Sequence, residues 1–117
     1  RRRVVSAPYE QGAVVVGADP FGRGNKRPYL VVSNDTHPFG EEEDVAVVIT
    51  TTERDQAIPL AGEYVEGKLP YESFVSPWSP VTLKHAAIDK RVALVSRGVL
   101  DDVADALYGY LVPITDA

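Results

Sequence analysis

Apolar, β-branched residues fall in short blocks along this chain, and glycine, proline or short polar residues close each block. Residues 13–18 read Ala-Val-Val-Val-Gly-Ala between Gly12 and Asp19-Pro20, which predicts a first strand buried on both faces. Residues 21–26 are rich in glycine and short polar side chains and predict a loop. Pro28 fixes the start of a second strand over residues 29–33, which stops at Asn34-Asp35. His37-Pro38-Phe39-Gly40 is not strand-like, whereas residues 45–51 are apolar almost throughout and predict a third strand inside a sheet. Residues 57–60 and 64–66 predict two short strands on an edge, where Pro59 is tolerated. Residues 73–78 predict a strand running into a bend, and residues 81–85 and 91–95 predict two more. Ser96 then caps a helix whose apolar residues Val99, Leu100, Val103, Ala106, Leu107, Tyr110 and Leu111 recur at three and four. The whole predicts a mainly β fold with a C-terminal helix, a small β-barrel with the helix packed on it.

Composition narrows the function classes. The 117 residues are 44% apolar and 25% charged, enough for one buried core and too few for two. Cysteine is absent, which removes disulfides, thiolate metal sites and cysteine nucleophiles. The two histidines, His37 and His85, have no metal-ligand spacing, so we expect neither a metal nor a cofactor. No apolar run is long enough to cross a membrane, and a cytoplasmic location is expected. Residues 1–8, with Arg1, Arg2 and Arg3, are read as a flexible extension trimmed from something longer, and residues 9–117 as a single domain. The net charge of −5 is opposite to that of a nucleic-acid coat, so any polyanion must be met locally. Arg23, Lys26 and Arg27 form a basic island, between Asp19 and the acidic run Glu41-Glu42-Glu43-Asp44.

The order Gly12, Asp19-Pro20, Arg27-Pro28, residues 30–35 (Leu-Val-Val-Ser-Asn-Asp) and residues 48–51 (Val-Ile-Thr-Thr) resembles the MazF/PemK family of toxin endoribonucleases. Thr82, Ile88-Asp89-Lys90-Arg91 and the closing helix extend the likeness over about residues 12–111. The resemblance implies an SH3-like barrel like that of MazF and CcdB, and a homodimer that cuts single-stranded RNA without metal. It also implies an antitoxin protein as partner.

Metal-free RNA cleavage uses the ribose 2′-hydroxyl as nucleophile, so the protein must move protons and stabilise extra negative charge on phosphorus. Arg27 suits the charge role because a guanidinium stays protonated and presents two parallel donors. Thr50, at the end of a strand, can donate to the same phosphate. Both match family positions with catalytic roles. Without the resemblance, Arg27 reads as a surface ion-pair partner and Thr50 as a β-former. Arg23, Lys26, Thr51, Thr82 and Lys84 are the polar candidates for RNA contact, and Trp78, between Pro77 and Pro80, is a candidate to stack an unpaired base. Equally, a sole tryptophan packs a core or an interface.

Three departures from the family pattern stand out. The loop between Asp19-Pro20 and Arg27-Pro28 is short, and Ser76-Pro77-Trp78 stands where some members carry an Arg-x-Asp acid–base pair. Val81-Thr82 also replaces an Arg-Thr. His85 is then the nearby side chain whose reference pKa suits proton transfer near neutrality, and it is the candidate acid or base. Gly22-x-Gly24-x-Lys26 fits no nucleotide-binding pattern and reads as a turn. The competing reading is a non-enzymatic module on the same barrel, either catalytically degenerate or inhibiting by contact as CcdB-like proteins do.

Overall fold

The computed structural model describes residues 8–19, 22 and 24–115. Arg23 and the three N-terminal arginines lie outside the described residues. The described residues form seven strands: β1 (Ala13–Ala18), β2 (Lys26–Val31), β3 (Glu43–Thr50), β4 (Ile58–Pro59), β5 (Tyr64–Gly67), β6 (Phe74–Lys84) and β7 (Ile88–Val95). A single 3-10 turn (His85–Ala87) joins β6 to β7, and helix α1 (Arg97–Leu111) follows β7. The strands make one sheet in the order β4-β6-β3-β2-β1-β7-β5, every pairing antiparallel. It curls into a half-barrel, and α1 packs across β6 and β4.

The unbroken apolar runs of β1, β2 and β3 follow from burial on both faces of the curled sheet. Val14, Leu30, Val47 and Ile49 point into a core shared with Val75, Val95 and the helix residues Val99 and Val103. Their neighbours Val15, Tyr29, Val31 and Ala46 point the other way and pack with Ala13 and Leu83. The two short strands expected on an edge occupy opposite edges, β4 beside β6 and β5 beside β7. Ser96 caps α1 as its position predicts, its Oγ accepting from the Val99 N–H at 3.3 Å. The end of the helix differs from the pattern: Tyr110 is 50% and Leu111 68% exposed, because the last turn runs past the sheet.

Two other differences shape the site. Residues 74–84 form one strand, not two. Between Val47↔Pro80 and Val48↔Ser76 the register shifts, so Pro77, Trp78 and Ser79 bulge out of the pairing and Pro77 costs no ladder bond. β2 begins three residues early, at Lys26, yet its pairing with β3 starts only at Tyr29↔Val48. Pro28 has no N–H with which to extend that ladder, and here β2 and β3 part.

Candidate active site

Where β2 and β3 part, a cleft of about 430 Å³ opens, lined by Asp19, Asn25, Lys26, Arg27, Thr50, Thr51 and Ser73 among others. The register explains the company. Tyr29 lies opposite Val48, so Arg27 and Thr50, two residues outward on each strand, face each other across the gap. On the other side β1 pairs Gly17 with Arg27 and Ala18 with Lys26, which brings Asp19 to the mouth of the cleft.

Among the described residues, Arg27 is held from one side. Its Nη1 lies 3.6 Å from Asp19 Oδ2, while its Nε is buried and makes no hydrogen bond. A buried donor without a partner is costly, and an anion's oxygen would relieve it. Asp19 is fixed by its own backbone, whose N–H donates to Asn25 O at 3.1 Å and whose carbonyl accepts from Gly22 N at 3.1 Å. A Cβ on Gly22 would come within 2.7 Å of Asp19 Oδ2, so the carboxylate needs glycine there. Behind the pair, the Tyr29 hydroxyl donates to Ala18 O at 2.9 Å. Burial pushes its phenol pKa above the usual value, and the nearby Asp19 charge adds to the rise. The Thr50 Oγ1 accepts from the Thr52 N–H at 3.1 Å, which leaves its own proton to donate into the cleft. Lys26 is exposed and paired with Asp89 at 2.8 Å.

Of the residues singled out by sequence, Lys26, Arg27, Thr50 and Thr51 are thus brought together. Thr82, Lys84 and His85 are not. Thr82 pairs with Val45 and Lys84 with Glu43, at the opposite end of β3 from Thr50. The eight residues from Glu43 to Thr50 span roughly 23 Å of strand from first to last. There His85 Nε2 lies 2.7 Å from Asp44 Oδ2, its ring edge-on to Tyr9, and Lys84 pairs with Glu43. The Lys84 contact holds the Glu43 carboxyl below its usual pKa and lifts that of Lys84. Trp78 sits in the β6 bulge, 38% exposed, over a separate hollow with Arg54, Asp55, Gln56 and Tyr110.

Asp19, Asn25 and Ser73 were not singled out. Asp19 reads in sequence as a strand stop, and only the hairpin that pairs Ala18 with Lys26 turns it toward Arg27. Ser73 is distant in sequence and arrives because Thr50 pairs with Phe74. Among the described residues no cluster of three or more histidine, aspartate or glutamate side chains is arranged to hold a metal. None of the described helices is long and apolar enough to cross a membrane.

Residues 10–111 match the family of PemK-like, MazF-like toxins of type II toxin-antitoxin systems. No curated protein matches the chain. Among solved structures, a mycobacterial endoribonuclease in complex with its cognate antitoxin aligns with a TM-score of 0.67 at 22% identity, covering 91% of this chain and 98% of that one. The Mycobacterium tuberculosis toxin MazF-mt6 aligns with 0.67 at 18% identity over 85% and 95%. A chain of the MazE-MazF structure from Deinococcus radiodurans aligns with 0.63 at 21% identity over 93% and 96%. The half-barrel with its terminal helix is therefore the MazF fold, and the chain belongs to the PemK/MazF-like toxin family.

Proposed function

We propose that the protein is a metal-independent endoribonuclease of a toxin-antitoxin pair, cutting single-stranded RNA at the cleft between β2 and β3. One observation carries the reading: the register places Arg27, with its unpartnered buried Nε, opposite the Thr50 hydroxyl. In the reaction the 2′-oxygen loses its proton and bonds to phosphorus, the bond from phosphorus to the 5′-oxygen breaks and that oxygen takes a proton from water, and the ends are a 2′,3′-cyclic phosphate and a 5′-hydroxyl. Arg27 and Thr50 donate to the phosphate oxygens on which charge builds, Lys26 and Thr51 hold the flanking backbone, and Asp19 is the carboxylate in place to take the 2′-proton. His85, Lys84, Thr82 and Trp78 would act on RNA only outside this cleft. Support for an antitoxin partner is that antitoxins accompany the toxins in two of the solved relatives. A homodimer, setting two clefts side by side, completes the reading.

Purified protein incubated with mixed RNA, with and without EDTA, should cut in both samples and leave 5′-hydroxyl ends. No cleavage by a folded protein would favour the non-enzymatic reading, which the Asp19 carboxylate already beside Arg27 supports.

A further inference from the structure

The cleft continues past Ser73. That residue also lines a second hollow of about 310 Å³, formed by the β4–β5 connection and the β5–β6 connection and walled by Tyr64, Lys68, Leu69 and Tyr71. On the other flank of the cleft, the loop after Thr51 leads to Trp78 and Tyr110, and Glu53, Arg54 and Asp55 line that route. The two flanks differ in charge and therefore in what they accept. On the Trp78 side a polyanionic strand leaving Arg27 meets two carboxylates against the one cation Arg54, a net negative lining. On the Ser73 side it meets Lys68 against Glu72, a balanced lining.

We infer that Tyr71 and Lys68 form a nucleotide subsite next to the scissile phosphate, Tyr71 stacking an unpaired base and Lys68 meeting the adjoining phosphate. This rests on the endoribonuclease reading of the cleft. Tyr71 is 74% exposed, so its ring is spent on no core contact. Its backbone carbonyl is tied down, accepting from Ser73 Oγ at 2.7 Å, so the ring stands on a fixed stretch of chain beside the cleft. An exposed aromatic on a rigid backbone beside a lysine is what single-stranded nucleic acid stacks upon, because every base has a π-face and every linkage a charge. Phosphate contacts set position while the stacked base sets preference, so the subsite would bias which sequences are cut.

The test compares wild type with Tyr71→Ala, Tyr71→Phe, Lys68→Ala and Trp78→Ala on one mixed single-stranded RNA, with end mapping and with kcat and kcat/KM measured separately. Tyr71→Ala should lower kcat/KM by about five- to a hundredfold and flatten base preference at one position beside the cut. Tyr71→Phe should keep both, and Lys68→Ala should make the salt slope of RNA binding shallower by about 0.7. Trp78→Ala should match wild type. Tyr71→Ala cutting like wild type, or Trp78→Ala showing the loss in its place, would overturn the subsite. If wild type cuts no RNA, the endoribonuclease reading falls, and anisotropy of a labelled single-stranded RNA decides the subsite alone. Weaker binding by Tyr71→Ala would then support it, and equal binding would reject it.

Discussion

Arg27 shows how far a single residue was legible. Its place before Pro28 marked it, and the proline also ends the β2–β3 ladder and so opens the cleft in which the guanidinium stands. The partner Asp19 was hidden because its approach depends on a hairpin closing, and the distance of His85 from the cleft was hidden because residue type says nothing about place. His85 instead bonds Asp44, which is 2% exposed and also accepts from Ser33 Oγ at 3.0 Å, so it ties the β6–β7 turn to β3. Arg27→Ala should abolish cleavage, and Arg27→Lys should restore little, since an ammonium cannot present a planar fork. Thermal melts of both variants should stay close to wild type, because removing this side chain relieves a buried unpartnered donor. Cleavage by Arg27→Ala at the wild-type rate would remove the residue from the mechanism. Thr50→Val keeps the shape and loses the donor, so single-turnover cleavage should slow at least about tenfold, or roughly 1.4 kcal/mol. An unchanged rate would leave Thr50 as a strand residue.

Elements were easier to read where one periodicity ran uninterrupted. β1 and the start of α1 followed from valine runs and from Ser96 before a three-and-four pattern. β6 was divided because Ser76-Pro77-Trp78-Ser79-Pro80 breaks any strand pattern, and only the pairing of β3 on both sides of the bulge shows one strand. That pairing is long-range and leaves no local signal. In the last turn of α1 the apolar pattern continues while burial ends, since periodicity marks a face but not how far the covering sheet extends. Ser96 does two things: it caps α1, and its Oγ donates to Glu63 Oε1 at 2.8 Å, joining the helix start to the turn before β5. Ser96→Ala should therefore cost about 1 kcal/mol of unfolding free energy, read by urea melts. Ser96→Asp would keep a capping oxygen but set it against Glu63, and should recover only part of the loss. A Ser96→Ala protein as stable as wild type would show that the cap contributes nothing.

At the scale of the whole molecule, charge sets the limits. Arg91 bonds both Glu10 and Glu66, tying the segment before β1 and the edge strand β5 to β7, and its hydrogen bond holds Glu10 below the ordinary carboxylate pKa. Lys84 does the same for Glu43. Because these folded pKa values are depressed, the unfolded chain takes up more protons on acidification. The stabilisation is present above about pH 4.5 and is lost as pH falls through the lower folded values. Melting temperature should thus hold down to about pH 5 and then drop, and Arg91→Ala should drop less; a parallel fall in both would remove the pair from the acid response. RNA binding faces the same ledger of charge. In a chain of net charge −5, the cations that line the cleft among the described residues are Lys26 and Arg27, with Lys68 beyond Ser73. If two copies share one groove, light scattering should report a dimer at micromolar concentration, yet each strand would still meet only a few cations. For single-stranded RNA the slope of log K against log salt is about −0.7 per phosphate contact, so three contacts give a slope of about −2. A slope steeper than about −4 would mean that RNA meets a basic surface outside the cleft, and a monomer in scattering would mean that one chain's few cations hold the strand unaided.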